Sequence, residues 1–188
     1  MYILSISICG YRIVVVLESR TYIYNFDELR LIDAIETCLN PKGLVALNPD
    51  PENTVLATPD QGKGYVRINN YEKNRSIKVP AHQAALFAMC LSYDGTLLAT
   101  ASEKGTIIRI FSTESGQPLT EVRRGKDKAE IYSICFDMKN KYLACTSDKK
   151  TIHIFAVNVQ LDNPVGIKLT DEEAKIADEE DPQEGDQP

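Results

Sequence analysis

The chain has 188 residues, of which 43% are hydrophobic and 26% are charged, and its formal net charge is −6. This composition is typical of a folded domain with a sizeable core, and it excludes a chain that is disordered throughout. The negative charge lies at the C-terminal end, because residues 171–188 contain nine acidic residues and one lysine. The rest has 20 basic and 18 acidic side chains, a formal charge of +2. This balance excludes the broad basic surface of a non-specific nucleic-acid binder.

The first apolar stretch, residues 1–17, is interrupted by Gly10 and Arg12 and has no positively charged region before it. It is therefore a poor signal peptide and too short to span a bilayer. The five cysteines are an odd number without a CxxC pair, and most lie within apolar runs. We interpret them as reduced core residues of a cytosolic protein rather than as a disulfide framework or a metal site.

Four segments repeat one pattern, in which an apolar pair and small residues are followed by a polar turn and an alternating strand. A weaker copy at residues 12–26 is followed by stronger copies at residues 56–68, 98–111 and 143–155. The leading leucines of the stronger copies are spaced by 42 and then 45 residues. Repeats of this length with four short strands each are typical of WD-repeat β-propellers. We therefore predict a partial, all-β, WD-repeat-like propeller with blades at about residues 1–35, 36–78, 79–122 and 123–159.

Turn-forming residues separate the strands of these repeats, and no long segment has helical periodicity. We expect turns at residues 40–43, 94–95, 114–116 and 139–140. The Trp-Asp dipeptide of WD repeats is missing because the chain contains no tryptophan. Ile-Phe pairs fill the equivalent positions at 110–111 and 154–155. The prediction of a propeller therefore rests on the repeat spacing.

The repeat pattern stops at about residue 160, and from Thr170 onward the chain is rich in Asp, Glu, Pro and Gln. Such a segment cannot bury enough apolar surface to offset the entropy of ordering it. We therefore predict that residues 160–188 form a disordered acidic tail. An anionic membrane surface would repel this tail.

The repeat region contains the motif Val122-Arg123-Arg124-Gly125, in which two adjacent arginines lie between an apolar residue and a glycine. This motif resembles the Leu/Phe-Arg-Arg-Gly hallmark of the PROPPINs, also called the WIPI family, which are β-propellers that bind polyphosphoinositides. Further similar stretches lie at residues 36–43, 80–82, 99–111, 131–136 and 147–155, in the family's order and spacing. The resemblance covers about residues 10–157.

This resemblance implies a seven-bladed architecture, of which the chain would supply about four blades, and no enzymatic activity. It implies binding of phosphatidylinositol 3-phosphate, with the 3,5-bisphosphate as a second ligand, without a cofactor or a metal. The expected location is cytoplasmic and peripheral on autophagic or endosomal membranes. Expected partners are autophagy proteins such as the lipid-transfer protein of the isolation membrane, and not nucleic acid. An open arc would expose apolar end faces, and Ile13–Leu17 is expected to be the worst exposed segment.

Carried over by position, the resemblance implies two pockets for a phosphoinositide headgroup. The first would use Arg123 with His82, Thr100, Ser102, Gly105, Thr106 and Arg109. The second would use Arg124 with Ser147, Thr151 and His153. Adjacent residues of an extended chain point to opposite sides, so Arg123 and Arg124 should enter different pockets.

The residue types suit this chemistry. A guanidinium offers a planar fork of donors that matches phosphate oxygens. Hydroxyls and imidazoles reach phosphate and inositol oxygens with hydrogen bonds, and a histidine that protonates strengthens anion binding. Gly125 permits a sharp turn or a close approach of the headgroup.

Other interpretations of these residues remain open. Taken singly, the two arginines could be solvated and pair with Glu121, and His82 and His153 could be structural histidines. An enzyme is disfavoured because the only catalytic match is Ser147-x-x-Lys150, which lacks its partner motifs. The alternative function is a propeller scaffold for protein interactions that has lost lipid binding.

Overall fold

The computed structural model describes residues 2–159, and these residues form fifteen β-strands and no helix. This range therefore contains no helix that could cross a membrane. The predicted acidic tail, residues 160–188, lies outside the described residues. The all-β fold predicted from the repeats is confirmed.

The strands form four antiparallel sheets, each a meander in chain order. The first sheet contains β1 (Ile3–Cys9), β2 (Arg12–Leu17), β3 (Arg20–Asn25) and β4 (Leu31–Glu36). The second contains β5 (Ala46–Leu47), β6 (Val55–Pro59), β7 (Tyr65–Asn70) and β8 (Arg75–Pro80). The third contains β9 (Leu86–Leu91), β10 (Leu97–Ser102), β11 (Ile107–Ser112) and β12 (Pro118–Arg123). The fourth contains β13 (Ile131–Phe136), β14 (Tyr142–Ser147) and β15 (Ile152–Ala156).

The strands form where the repeat pattern places apolar and β-branched residues, and their burial follows from their place in the stack. Every residue of β6 and of β10 is buried, because these strands are covered on both faces by neighbouring sheets. The outermost strands β8 and β12 are mostly exposed or half-buried. The four turns expected from the sequence all lie between strands.

Consecutive sheets pack face to face through three separate apolar clusters. One cluster joins the first and second sheets, another the second and third, and the last the third and fourth. The opening strands of consecutive sheets are neighbours, with β1 beside β5, β5 beside β9 and β9 beside β13. The four sheets are therefore arranged around a common axis with their first strands innermost, as the blades of a propeller are.

The apolar residues exposed at the start of the arc differ from those expected. Ile13–Leu17 forms most of β2, which lies between β1 and β3, and Val14 and Val16 are fully buried. The exposed apolar side chains belong to β1, where Ile6 and Ile8 are 57% and 60% exposed. The expectation was wrong because β1 alternates isoleucine with serine, which hid it as the innermost strand of the first repeat.

The cysteine prediction holds only in part. Cys9 and Cys145 are buried and Cys38 and Cys90 are half-buried, but Cys135 is exposed. Cys135 alternates with the buried Ile134 on β13, so its side chain lies on the outer face of the fourth sheet. None of these five cysteines forms a disulfide.

The exposed outer faces predict that the 188-residue chain self-associates, because propeller blades normally cover such faces against a neighbour. Replacing Ile6 and Ile8 by lysine should reduce this association, since it places two charges on the exposed face. Replacing Phe26 and Leu29, which are exposed in the turn between β3 and β4, should not. Size-exclusion chromatography with light scattering at several concentrations is the measurement. A monodisperse unaltered chain of 21.0 kDa would contradict the prediction.

Candidate functional site

Three of the residues expected in the first pocket, Thr100, Arg109 and Arg123, lie on the face of the third sheet that is turned toward the second sheet. Thr100, Arg109 and Glu121 are direct neighbours across β10, β11 and β12, so their side chains share one face. Arg109 donates from Nη1 to the carbonyl oxygen of Ala81, 2.8 Å away, at the end of the second sheet. This contact shows that the face carrying Arg109 is turned toward the second sheet, and polar groups line it.

Arg123 and Arg109 differ in how they are paired. Arg109 forms a partly exposed ion pair with Glu121, with 3.2 Å between Nε and Oε2. Arg123 follows Glu121 by two residues on the same face, and its side chain is exposed. Among residues 2–159, the Arg123 guanidinium has no hydrogen bond or ion pair. Its donors are therefore available to an anion.

His82 lies against Thr100 rather than facing solvent. Its Nε2 is 3.2 Å from the Thr100 carbonyl oxygen and 3.0 Å from Thr100 Oγ1. Burial lowers the pKa of His82 to about 4, and the nearby Arg109 acts in the same direction. The imidazole is thus neutral near neutral pH, and it does not supply the positive charge considered in the sequence analysis.

Ser102, Gly105 and Thr106 lie in or beside the turn between β10 and β11. Their backbone groups form hydrogen bonds that shape this turn. The carbonyl oxygen of Ser102 accepts from Gly105 N, and that of Thr106 accepts from Arg124 N. Gly105 has φ of +62°, and a Cβ there would lie 1.9 Å from the carbonyl oxygen of Ala129. This turn therefore connects the surroundings of the two expected pockets.

Arg124 is only 6% exposed and is held by backbone carbonyl groups. Its Nε donates to the carbonyl oxygen of Gly105 at 2.8 Å, and its Nη2 donates to that of Asp127. Within the described part of the chain it has no carboxylate within ion-pair distance. Its positive charge is therefore oriented without being neutralised, which favours a nearby anion.

Arg124 lies close to the inner face of the fourth sheet. Cys145 on β14 is directly opposite His153 on β15, and Arg124 interacts electrostatically with the Cys145 thiol. Burial raises the pKa of Cys145 to about 11, and the opposing effect of Arg124 does not outweigh it. Ser147 follows Cys145 by two residues on this face and is 5% exposed. Arg124 therefore lies near the part of the fourth sheet that carries Cys145, Ser147 and His153.

Thr151 and His153 form the outer part of this group. Thr151 Oγ1 and His153 Nε2 are 3.0 Å apart, and the His153 ring stacks on Phe155 with an interplanar angle of 7°. Gly125 does not have a positive φ, and a Cβ there would meet no atom within 4 Å. The backbone geometry at Gly125 does not require glycine, so the open space beside it favours the idea of a close ligand approach.

The sequence correctly placed Cys145 in the core, where it is buried, but it did not reveal that Cys145 lies near Arg124. Its position follows Thr100 by 45 residues, the same spacing that separates the leading leucines of these repeats. An alignment of the repeats would therefore have placed Cys145 at the position that Thr100 occupies in the first group. A lone cysteine in an apolar strand gave no other signal.

A scan against protein families matches the family described as PROPPIN over residues 1–166. The chain belongs to the PROPPIN family. The recognition from the arginine motif is therefore confirmed.

Curated PROPPIN-like relatives are similar to this chain over most of its length. Autophagy-related protein 18e of Arabidopsis thaliana is 39% identical, and the match covers 81% of this chain and 41% of the relative. WD repeat domain phosphoinositide-interacting protein 2 of Mus musculus is also 39% identical, over 86% of this chain and 37% of the relative. This PROPPIN chain thus spans less than half the length of these relatives.

A solved structure gives the same result for the fold. The KlAtg21 structure, determined in complex with the coiled coil of AgAtg16, is 29% identical with a TM-score of 0.70. The match covers 82% of this PROPPIN chain and 52% of that chain. The predicted partial β-propeller is confirmed.

The lowered pKa of His82 predicts a pH-dependent stability. The unfolded chain binds a proton on this imidazole near pH 6.5, whereas the folded chain does so only near pH 4. The contribution of the buried neutral His82 to the free energy of unfolding is therefore full above about pH 6.5, and it is lost as the pH falls toward about 4.

Replacing His82 by glutamine should weaken that dependence, because glutamine does not titrate and its amide can still donate to Thr100. Urea unfolding of both proteins across this pH range is the measurement. The wild-type chain should lose more stability than the variant, by on the order of 1 kcal/mol after allowance for partial solvent exposure. Parallel losses in the two proteins would show that His82 is not the titrating group.

Proposed function

We propose that this chain binds the headgroup of phosphatidylinositol 3-phosphate in two pockets on opposite faces of the third sheet. Binding of the headgroup in these pockets would recruit the protein as a scaffold to membranes on which autophagosomes form. The observation that carries the proposal is the divergence of Arg123 and Arg124. The two guanidinium groups are adjacent in sequence but lie in different environments, and neither is paired with a carboxylate within residues 2–159.

The first pocket is supported by the free donors of Arg123 and by the polar face beneath them. Glu121 is 57% exposed, so an incoming phosphate can displace it from Arg109 at little cost. Arg109 and Arg123 would then both donate to the phosphate. His82 and Thr100 are linked to each other, so their role would be to fix the shape of the pocket wall.

The second pocket is supported by the fixed orientation of Arg124. Because Gly105 and Asp127 hold two of its nitrogens, little side-chain entropy remains to be lost when a ligand binds. Ser147, Thr151 and His153 would donate to the remaining phosphate and inositol oxygens. A second phosphate on the ring would find further donors here, which makes the 3,5-bisphosphate a candidate ligand.

The names of the relatives support phosphoinositide binding and a role in autophagy. The mouse relative is named for phosphoinositide interaction, and the Arabidopsis relative for autophagy. The solved KlAtg21 structure contains a coiled-coil protein partner. We therefore propose a cytosolic protein bound peripherally to autophagic or endosomal membranes. Its protein partners would include autophagy proteins such as the lipid-transfer protein of the isolation membrane.

The proposed function is binding and not catalysis, and it uses no cofactor, metal or nucleic acid. Phosphate recognition by arginine, hydroxyl and imidazole groups needs no metal ion. Within residues 2–159, no three His, Cys, Asp or Glu side chains are grouped so as to hold one.

One feature favours the alternative of a protein-interaction scaffold without lipid binding. A mostly apolar cleft of about 630 Å³ opens between loops of neighbouring sheets. Its lining includes Leu39, Leu44, Leu86 and Phe87. Lys42 lies over the Phe87 ring and pairs with Glu130 at the cleft edge. A protein segment with an apolar side chain would suit this cleft, whether or not the headgroup pockets function.

Replacing Arg123 and Arg124 together by threonine tests lipid binding. Hydrogen bonds to charged groups contribute about 1.5–3 kcal/mol each, so the double variant should lose at least about a hundredfold in affinity. The measurement is flotation with liposomes that contain phosphatidylinositol 3-phosphate. Circular dichroism should show an unchanged fold.

The matched control replaces two exposed arginines by threonine, namely Arg20 on β3 and Arg30 in the connection before β4. It carries the same change in charge, and its flotation should decrease only slightly. If the Arg123 and Arg124 double variant floats as well as the unaltered chain, the lipid-binding function is wrong and the scaffold function remains.

A further inference from the structure

The second sheet repeats the layout of the first headgroup pocket. Across β6, β7 and β8, Thr58 lies opposite Arg67, and Arg67 lies opposite Lys78. In the third sheet the corresponding row is Thr100, Arg109 and Glu121. The threonines and the arginines of the two rows are each 42 residues apart in sequence, as the leading leucines are. The second sheet therefore has a row with two cations where the third has a cation and an anion.

Asp60 lies among these groups, at the position that Ser102 occupies in the third sheet. Its Oδ1 is 3.0 Å from Arg67 Nε and 2.8 Å from Arg67 Nη2. Its Oδ2 is 3.0 Å from Lys78 Nζ. The carboxylate thus meets an arginine fork on one side and an ammonium on the other, as a bound phosphate would.

The exposures of these groups show which of them an incoming anion could reach. The Asp60 side chain is only 5% exposed, whereas Arg67 is 26% and Lys78 is 57% exposed. Hydrogen bonds from Lys78 and Arg67 hold the pKa of Asp60 below its ordinary value, although burial by itself would raise it. Asp60 is therefore an ionised, inward-facing carboxylate below two cations that reach the surface.

We propose that Arg67 and Lys78 form a third anion-binding cradle, for a phosphate ester, and that the carboxylate of Asp60 occupies it as a built-in anion. Asp60 would be the residue that keeps the second sheet from binding a headgroup. The choice of a phosphate ester rests on the proposed function, whereas the cradle rests on the ion-pair geometry of the second sheet.

The two sheets differ in how firmly their own carboxylate is held, so only the anion pocket of the third sheet would be open. In the third sheet, Glu121 is 57% exposed and can swing into solvent when a phosphate arrives. Asp60 is short, buried and held by two cations, so it cannot turn away without breaking both ion pairs. Ser102, at the same position of the repeat, is neutral and cannot form the two ion pairs that Asp60 forms.

One further polar atom belongs to the cradle. Thr58 Oγ1 is buried and has no hydrogen-bond partner. Its counterpart in the third sheet, Thr100, is partnered by His82. A hydroxyl without a partner is costly in the interior, and removal of the carboxylate would let it contribute to a bound anion or water.

The test adds Asp60→Ser to the variant in which Arg123 and Arg124 are threonine. Both proposed pockets are then absent, so a gain of binding belongs to the second sheet even if the proposed function fails. Calorimetric titration with inorganic phosphate and with inositol 1,3-bisphosphate is the measurement. The gain should be about tenfold or more in affinity, since Arg67 and Lys78 would each regain a charge-assisted bond.

Two control variants connect the gain to the cradle. Adding Arg67→Thr to Asp60→Ser should abolish it, because the arginine fork is lost. Asp27→Ser makes the same change in charge in an exposed turn of the first sheet, and it should produce no gain. A gain that survives Arg67→Thr would overturn the proposal.

Asp60→Asn is the second variant, because asparagine preserves the shape of the side chain if serine destabilises the fold. Absence of a gain in a folded Asp60→Ser or Asp60→Asn protein overturns the proposal. Lys78→Gln in the otherwise unaltered chain provides an independent reading. It should leave binding to phosphatidylinositol 3-phosphate vesicles unchanged, and a loss would show that the second sheet already binds a headgroup.

Discussion

The close approach of the Gly105 turn to the start of the fourth sheet is the constraint on which both proposed pockets depend. A Cβ at Gly105 would lie 1.9 Å from the Ala129 carbonyl oxygen, so a side chain there would force the third and fourth sheets apart. Two carbonyl oxygens of this turn accept hydrogen bonds from Arg124. The Arg124 side chain donates to the Gly105 carbonyl oxygen, and the Arg124 backbone N–H donates to that of Thr106. The distance between the sheets and the direction of the guanidinium are thus set by one piece of backbone.

The arc repeats this device one sheet earlier. Gly64, in the turn between β6 and β7, has φ of +78°, and a Cβ there would lie 1.9 Å from the carbonyl oxygen of His82. The carbonyl oxygen of Gly64 also accepts from His82 N at 3.0 Å. That contact fixes the segment from which His82 reaches Thr100. Glycine turns therefore hold the backbone on both sides of the third sheet, where the proposed pockets lie.

Much of the fold followed from the spacing of the repeats, because each repeat is a unit that must bury its faces against the next. The opposite orientations of Arg123 and Arg124 followed from strand alternation. The innermost strand β1 did not, because serines alternate with its isoleucines. The neutral state of His82 was also hidden, since its burial depends on how the second and third sheets pack.

The role of Asp60 shows a different limit of sequence reasoning. The spacing of 42 residues aligns Asp60 with Ser102, but it does not reveal that Arg67 and Lys78 converge on the carboxylate. Predicting that convergence requires the register of β6, β7 and β8. Under the proposal, aspartate in place of serine at this position of the repeat would fill the second sheet's cradle, whereas the proposed pocket of the third sheet would stay open.

The most direct test of the account is the number of headgroups that one chain binds. Titration of the unaltered chain with inositol 1,3-bisphosphate should give two sites, because Arg123 and Arg124 lie on opposite faces of the third sheet. Arg123→Thr and Arg124→Thr, made singly, should each leave one site with nearly unchanged affinity. A single site in the unaltered chain, or loss of all binding on replacement of one arginine, would contradict the account.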